Sequence, residues 1–250
     1  SYFPAVFILK ETLPMLFLLI FSLIYAITKA LKNTFEKPGS YLRKILVSIG
    51  LYLRTGVAQY SMLAFIALYS YLSVTGNLNI GFRHLFPILP FAYVLVAKQS
   101  FEFLKGLNEH SRKMFKIVLA VLVLWIILIP IVNFPSYLTY FNELIGGPKN
   151  GYKYLTDSNL DWGQDLKRLR NWVNKHNASL EKIGCIAIFP APSACVPINK
   201  IRVDYFGGSS PRYYLKDKYI PWHAGLDPEP GWYAISAEFL QESIYKKKNP

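Results

Sequence analysis

The most constraining feature of this chain is a series of long apolar runs in its first 134 residues. The chain has 250 residues, 52% of them hydrophobic, and most of this apolar content precedes Phe134. A membrane-spanning helix needs about 20 mostly apolar residues. We therefore predict a polytopic α-helical membrane protein with about four transmembrane helices and a C-terminal α/β domain. The predicted spans are residues 12–31, 56–74, 85–103 and 117–132.

The distribution of basic residues predicts which side of the membrane each loop faces. The two loops richest in Lys and Arg, residues 32–54 and 105–116, lie on the same side of the predicted arrangement. By the positive-inside rule, this side is cytoplasmic. We therefore predict an integral protein of the plasma or inner membrane, with a transmembrane region at 1–134 and an extracytoplasmic domain at 135–250.

The first basic loop leaves two interpretations open. Leu42, Ile45, Leu46, Ile49 and Leu53 recur at helical spacing among its cations. Such a pattern is typical of an amphipathic helix that lies at the membrane surface. It also fits a long second span that begins early, with a basic side chain reaching back to the interface.

The net charge of +13 does not predict nucleic-acid binding in this chain. Many of its cations flank apolar segments, where they set topology and contact anionic lipid headgroups. Membrane lipid is the expected partner, and nucleic acid is not. Because the chain begins at Ser1, without a Met and within an aromatic stretch, we expect it to be part of a longer protein.

The sequence after residue 134 predicts a mixed α/β domain. An apolar stripe at helical spacing is formed by Leu166, Leu169, Trp172 and Val173. Short runs rich in β-branched and aromatic residues predict strands. The predicted elements are a helix at 164–176, strands at 183–189, 201–206 and 232–235, and a final helix at 237–245.

Three cations are candidates for a binding site at the outer membrane surface. Lys10 lies just before the first predicted span, and Arg83 and His84 lie just before the third. If these span ends are adjacent, the cations form a positive cluster suited to a lipid phosphate or pyrophosphate. The alternative is that each side chain merely reaches the interface on its own.

The segment 157–165 carries alternating oxygen ligands that resemble the start of a calcium loop. The sixth position is Trp162, where a Gly is needed, and the twelfth is Arg168, where a Glu is needed. We therefore interpret the segment as a capping turn that leads into the following helix. A divalent metal is not indicated, and no cofactor is predicted.

Two cysteines, Cys185 and Cys195, lie in the domain that we predict to be extracytoplasmic, where disulfides persist. A bridge between them is possible. Two free or buried thiols fit the sequence equally well, because the spacing does not decide between these states.

The segments Asn79–Phe91 and Tyr140–Asp165 are the most specific motifs of the chain, and Phe7–Pro14, Asp204–Gly208 and Gly231–Ser236 accompany them. Together these segments resemble prokaryotic family 39-type glycosyltransferases, which are GT-C membrane enzymes similar to protein O-mannosyltransferases and aminoarabinose transferases. Residues 184–200 depart from this family and look like an insertion. The resemblance implies a GT-C-like fold.

The resemblance also implies an activity, namely transfer of a hexosyl or mannosyl-type sugar from a polyprenyl-phosphate donor to an acceptor at the outer membrane face. The family's catalytic acid would precede Ser1, so no catalytic residue is assigned in this fragment, which we expect to be inactive alone. Lys10, Arg83 and His84 become candidates for lipid-phosphate binding. The matching positions without an assigned role are Asn79, Asn142, Asp157, Asn159, Asp161, Trp162 and Asp165.

Two other functions compete with this one. A non-enzymatic membrane protein, such as a flippase or transporter component, would place ionisable residues near the membrane midplane. A membrane-anchored binding module would instead expose an aromatic groove on residues 142–250. The sequence leaves the sugar and the acceptor unidentified.

Overall fold

The computed structural model of this protein describes residues 2–35, 46–47, 49–50, 56–76, 81–182 and 196–248. The chain divides into two compact units, Ser1–Pro148 and Lys149–Pro250. Several predictions lie outside the described residues. They concern Asn79, Cys185 and Cys195, the strand at 183–189, most of the segment 184–200 and most of the basic loop 32–54.

The described part of the first unit is helical. Its α-helices are α1 (Tyr2–Lys10), α2 (Leu13–Phe35), α3 (Val57–Thr75), α4 (Leu89–Lys105) and α5 (Glu109–Asn133). Three of them, α2, α3 and α5, are long and apolar enough to cross a membrane. They correspond to the first, second and fourth predicted spans.

The third predicted span differs from the structure. Residues Phe82–Ile88 form a 3-10 helix, and the α-helix α4 begins only at Leu89 and has 17 residues. The cause lies in two prolines, because the residue before a proline is disfavoured in the α conformation and proline donates no backbone hydrogen bond. Pro87 lies inside the 3-10 helix, and Pro90 occupies the first turn of α4, where proline is tolerated.

The outer surfaces of these helices are apolar. Neither α3 nor α5 contains a buried residue, although both are predominantly apolar. Exposed side chains include Leu68 on α3 and Ile131 and Val132 on α5. Such a surface is too apolar for water and is compatible with a lipid environment.

The second unit is built on a small parallel sheet. Its elements are α6 (Leu166–Lys182), β1 (Ile201–Asp204), α7 (Pro211–Leu215), β2 (Tyr219–Pro221), β3 (Trp232–Ile235) and α8 (Ala237–Lys248). The strand order is β2-β1-β3, and both pairings of the central strand are parallel. The core is formed by Val173, Ile198, Ile201, Val203 and Leu215.

The sequence predictions for this unit are accurate in part. The strand at 232–235 has the predicted bounds, whereas the predicted strand at 201–206 ends at Asp204. The helix predicted from residue 164 begins at Leu166 and continues to Lys182. The predicted apolar stripe of this helix is only partly buried. Leu166 and Val173 are buried, whereas Trp172 is 48% exposed.

Candidate functional site

The corner between α1 and α2 holds two charged residues that are almost completely buried. Lys10 ends α1 and is 8% exposed, and Glu11 follows it and is 5% exposed. The chain leaves the helix here because Pro14, in the first turn of α2, donates no backbone hydrogen bond. The backbone N–H of Thr12 donates to Glu11 Oε1 at 2.9 Å. The carboxylate thus caps one of the donors that begin the next helix.

Asn142 connects this corner to the segment that follows α5. Its backbone N–H donates to the carbonyl of Leu9 at 3.0 Å. Its side-chain amide donates to the carbonyls of Ile8 and Glu11, the latter at 2.8 Å. These carbonyls have no helical partner because α1 ends here, and the fully buried Asn142 supplies the missing donors.

Lys10 contacts two residues of the segment that follows α5, Leu138 and Phe141. Its Nζ donates to the carbonyl of Leu138 at 2.7 Å and lies 4.1 Å from the centroid of the Phe141 ring. Burial lowers the pKa of the Lys10 ammonium to about 7. Near neutral pH this lysine is therefore partly uncharged, and a nearby anion would favour the charged form.

Glu11 is the acidic counterpart in this corner. The Tyr93 hydroxyl donates to Glu11 Oε2 at 2.8 Å. Burial raises the pKa of the Glu11 carboxyl, while the hydrogen bonds from Thr12 and Tyr93 oppose the rise. The hydroxyl of Tyr140 is buried and has no hydrogen-bond partner among the described residues. Burial raises the pKa of Tyr140, and the carboxylates of Glu143 and Glu11 raise it further.

His84 contacts the start of α1, at the opposite end of this helix from Lys10. Its ring packs edge-on against Phe3, with centroids 6.5 Å apart, and its Nε2 is buried without a hydrogen-bond partner among the described residues. Phe3 and Lys10 are seven residues apart, which is about 10 Å along the helix axis. The first helix thus carries Lys10 and contacts His84 about two turns away. Arg83 is exposed on the 3-10 helix.

A large apolar groove begins at Phe3, whose ring packs against His84, although His84 and Arg83 do not themselves line it. It has a volume of 1250 Å³ and is lined by residues of α1 to α4 and of the 3-10 helix. Most lining side chains are aliphatic, such as Leu23, Leu63 and Leu95. Phe3 and Leu85 line the end next to His84. The groove follows α2 for about 20 Å, from Leu16 to Lys29, at the helical rise per residue.

The other end of the groove is charged. Lys29 pairs with Glu102, and Lys98 lies 3.5 Å from the same carboxylate. All three residues line the groove. Lys29 is near the end of α2 and Glu102 near the end of α4, so the two helices run in the same direction along it.

The positions of the second unit that resemble the glycosyltransferase motif lie in a compact turn. Asp157 begins the 3-10 helix Asp157–Asn159 with a φ of 55°. Asn159 is 1% exposed and donates to the carbonyl of Thr156 at 3.0 Å. The carboxylate of Asp161 accepts from the backbone N–H of Gly163 at 2.7 Å.

The same segment leads into α6. The carbonyl of Asp165 accepts from the N–H of Leu169 at 2.8 Å, and its carboxylate pairs with Arg168 at 3.0 Å. Burial raises the pKa of Asp165, and the positive charge of Arg168 opposes the rise. Trp162 remains 49% exposed. Among the described residues no group of three His, Cys, Asp or Glu side chains is placed to hold a metal ion.

Sequence reasoning missed several participants of the first corner. Glu11 has a weak signal in the sequence, because it is an acid of the first unit that directly follows the predicted outer cation Lys10. Tyr93 and Tyr140 have no signal. The hydrogen bond from Tyr93 to Glu11 depends on the packing of α4, and the electrostatic influence of Glu11 on Tyr140 depends on where the segment after α5 lies. Asn142 was identified only as a motif position, without a role.

Comparison of this chain with protein-family models, with curated proteins and with solved structures gives no match.

Proposed function

We propose that this chain is the C-terminal part of a membrane glycosyltransferase. It would transfer a hexosyl or mannosyl-type sugar from a polyprenyl-phosphate donor to an acceptor at the outer membrane face. The observation that carries the proposal is the apolar groove of 1250 Å³ that begins beside His84. The resemblance of Asn79–Phe91 and Tyr140–Asp165 to family 39-type enzymes supports the same assignment.

The groove suits the lipid part of such a donor. A polyprenyl chain is long, flexible and apolar, and burying apolar surface contributes about 25 cal/mol per Å². Between Leu16 and Ala26 the lining residues of α2 are apolar except for Ser22. The charged end at Lys29 and Glu102 disfavours apolar groups, so the isoprenoid chain would occupy the part nearer to His84.

The head of the donor would lie at the His84 end. An imidazole Nε2 without a partner can donate to a phosphate oxygen when it is protonated. Arg83, exposed on the same turn, can form two parallel hydrogen bonds to a phosphate. Lys10 lies about 10 Å away along α1 and is 8% exposed, so it would not contact this phosphate directly.

The proposal requires a defined sidedness. The domain at 135–250 and the residues Lys10, Arg83 and His84 would face the outside of the plasma or inner membrane. Labelling of an introduced exposed cysteine, Ser209→Cys, with a membrane-impermeant maleimide in intact cells tests this. Labelling only after permeabilisation would place the domain in the cytosol and remove the basis for an outer phosphate site.

Donor binding is testable on this chain in lipid nanodiscs. The probe is a polyprenyl phosphate with a photoreactive group near its head. We expect Arg83→Ala and His84→Ala to reduce cross-linking severalfold, while Lys113→Ala, an exposed cation of the opposite predicted side, leaves it unchanged. Equal cross-linking of all variants, or labelled peptides only outside the groove, would contradict the proposed site.

Catalysis needs a separate assay. We expect residues 1–250 alone to transfer no sugar, because the family's catalytic acid would lie in sequence that precedes Ser1. A longer form that includes such sequence should transfer a radiolabelled sugar from polyprenyl-phosphate mannose or glucose. Transfer by the 250-residue chain alone would show that the catalytic group lies within it.

One observation favours a second function, that of a lipid flippase or transporter component. Lys29, Lys98 and Glu102 line the groove on α2 and α4, and ionisable residues in such helices commonly mark transport pathways. A reconstituted vesicle assay distinguishes the two functions. Movement of a fluorescent polyprenyl phosphate between leaflets that is abolished by Glu102→Gln would favour the flippase.

A further inference from the structure

The second unit gathers loops at the carboxyl ends of its strands, which is where parallel α/β sheets bind ligands. The central strand β1 ends at Asp204 and the neighbouring β3 ends at Ile235. The N–H of Phe206 donates to Ser236 Oγ at 2.8 Å, and the N–H of Ser236 donates to the carbonyl of Asp204 at 2.9 Å. The two exit loops are therefore joined by hydrogen bonds along one edge of the sheet.

The loop that precedes α6 and contains Gly163 packs directly on this edge. The hydroxyl of Tyr205 donates to the carbonyl of Gly163 at 2.7 Å. The two loops touch through glycines, because a Cβ on Gly207 would lie 2.6 Å from the Cα of Gly163. The contact requires glycine at both positions. It fixes the segment that carries Trp162 beside the exit loop of β1.

Four rings form a continuous row across this edge. Trp162 packs against Phe206 with centroids 6.1 Å apart, Phe206 against Phe239 at 6.1 Å, and Phe239 against His223 at 5.9 Å. The two phenylalanines are half-buried, whereas Trp162 is 49% exposed and the His223 side chain is 69% exposed. The exposed rings at the two ends are thus supported from beneath by packed neighbours.

Carboxyl groups, which accept hydrogen bonds when they are ionised, lie near both ends of this row of rings. The Oε2 of Glu238 is buried without a hydrogen-bond partner among the described residues. Burial raises the pKa of Glu238, the negative charges of Asp157, Glu242 and Asp161 raise it further, and a hydrogen bond from the Asp157 backbone opposes the rise. At the other end, Asp204 is 6% exposed, and its Oδ2 accepts from the N–H of Ala224 at 2.7 Å and lies 3.4 Å from His223 Nδ1, so this carboxylate positions His223 and does not itself face a ligand. An anionic ligand would meet repulsion here, whereas a ligand rich in hydroxyl donors would find acceptors.

We infer that the carboxyl edge of this sheet is a binding site for neutral oligosaccharide, with Trp162 as the ring on which a sugar stacks. A pyranose offers an apolar C–H face for the indole and hydroxyl donors for the carboxylates. Apolar platforms with a few placed polar groups are the usual composition of a specific ligand site. The inference depends only on the second unit and holds whether or not the first unit binds a polyprenyl donor.

The test is a binding measurement on the complete chain in phosphatidylcholine nanodiscs. Maltoside detergents are avoided because their sugar headgroups would compete for the site. The probes are the neutral pentasaccharides of α-1,4-glucose, β-1,4-glucose and α-1,6-mannose. Their binding is measured by tryptophan fluorescence and by an immobilised-glycan assay. We expect at least one of them to bind with a Kd below about 10 mM.

Two variants and a control assign the site. Trp162→Ala should weaken binding about tenfold or more. Glu238→Gln, which preserves shape but replaces an acceptor oxygen by a donor, should weaken it severalfold. The matched control is Trp172→Ala, because Trp172 is 48% exposed but belongs to a different aromatic group with His176 and Trp232.

Three outcomes would overturn the inference. The first is that no neutral pentasaccharide binds the unaltered chain. The second is a failure of the variant comparison. Either Trp162→Ala binds the pentasaccharide as tightly as the unaltered chain does, with unchanged circular dichroism, or the control Trp172→Ala loses binding to the same extent. The third is that a sialylated or phosphorylated oligosaccharide binds more tightly than every neutral one.

Discussion

The side-chain amide of Asn142 donates a hydrogen bond of 2.8 Å to the backbone carbonyl of Glu11, a residue 131 positions earlier in the chain. The amide also donates to the carbonyl of Ile8. These bonds attach the segment after the last helix of the first unit to the corner that positions Lys10 and Glu11. The geometry of the candidate site therefore depends on a residue that touches no proposed ligand.

Replacing Asn142 by Ala should destabilise the first unit by about 2 kcal/mol or more, because two buried carbonyls would lose their donors. Thermal unfolding of the chain in nanodiscs, followed by circular dichroism, measures the change. The control is Asn171→Ala, on the exposed surface of α6, which should shift stability by less than about 0.5 kcal/mol. Equal effects of the two substitutions would refute a special role for Asn142.

The buried ammonium of Lys10 should make stability depend on pH. Its pKa is lowered from 10.5 to about 7 in the folded protein, so between these values the unfolded chain binds more protons. Stability should therefore rise from pH 7 to pH 10, and Lys10→Met should reduce this rise. Lys167→Met, an exposed lysine of α6, should leave it unchanged.

The titration of Lys10 can also be followed directly. Nitrogen-15 NMR of the lysine side chains should show one ammonium that titrates near pH 7 and disappears in Lys10→Met. If every lysine of the chain titrated near 10.5, Lys10 would not be buried against Phe141 and Leu138.

Replacing Gly163 by Ala should disrupt the carboxyl edge of the sheet. A Cβ at this position would lie 1.9 Å from the Tyr205 hydroxyl, and the backbone φ of +77° disfavours an L side chain. We expect a loss of about 2 kcal/mol or more in the stability of the second unit. Hydrogen exchange of β1 and α6 measures it.

Gly208→Ala is the matched control for this substitution. A Cβ at Gly208 meets no atom within 4 Å, so the change should be nearly neutral. A neutral Gly163→Ala would mean that the loop with Trp162 does not pack on Tyr205.

Filling the groove should prevent lipid binding without unfolding the chain. Ala92 lines the groove on α4, and Ala92→Trp would occupy the space of a lipid chain. We expect cross-linking by the photoreactive polyprenyl phosphate to fall severalfold. Ala120→Trp, on an exposed position of α5, adds the same side chain and should leave cross-linking unchanged. A similar loss in both variants would indicate a general effect on the helices.

The sequence predicts the helices of the first unit wherever the apolar run is long and uninterrupted. The bounds of α2 and α3 lie within a few residues of prediction because a helix of about 20 apolar residues satisfies its own backbone hydrogen bonds. The start of α4 was misplaced because two prolines compete locally with the hydropathy pattern. The nine-residue helix α1 is too short for hydropathy to distinguish.

The candidate sites were less predictable than the helices. Lys10 and His84 could be chosen as cations at predicted span ends, but nothing in the sequence indicates that Lys10 is buried against Phe141 and Leu138. The same holds for Trp162, whose neighbours Phe206 and Phe239 come from distant loops. Predictions about Cys185 and Cys195 stay predictions, since both residues lie outside the described part of the chain.

The sequence by itself determined the class of this protein, with apolar helices long enough to cross a membrane and a polar α/β unit after them. Composition and periodicity suffice for this because they act within one segment at a time. Only the tertiary structure decided that Asn142 holds the Lys10–Glu11 corner, that a groove runs beside α2, and that four rings meet at one sheet edge. These features arise between segments far apart in the chain, where packing and desolvation, and not local pattern, set the free energy.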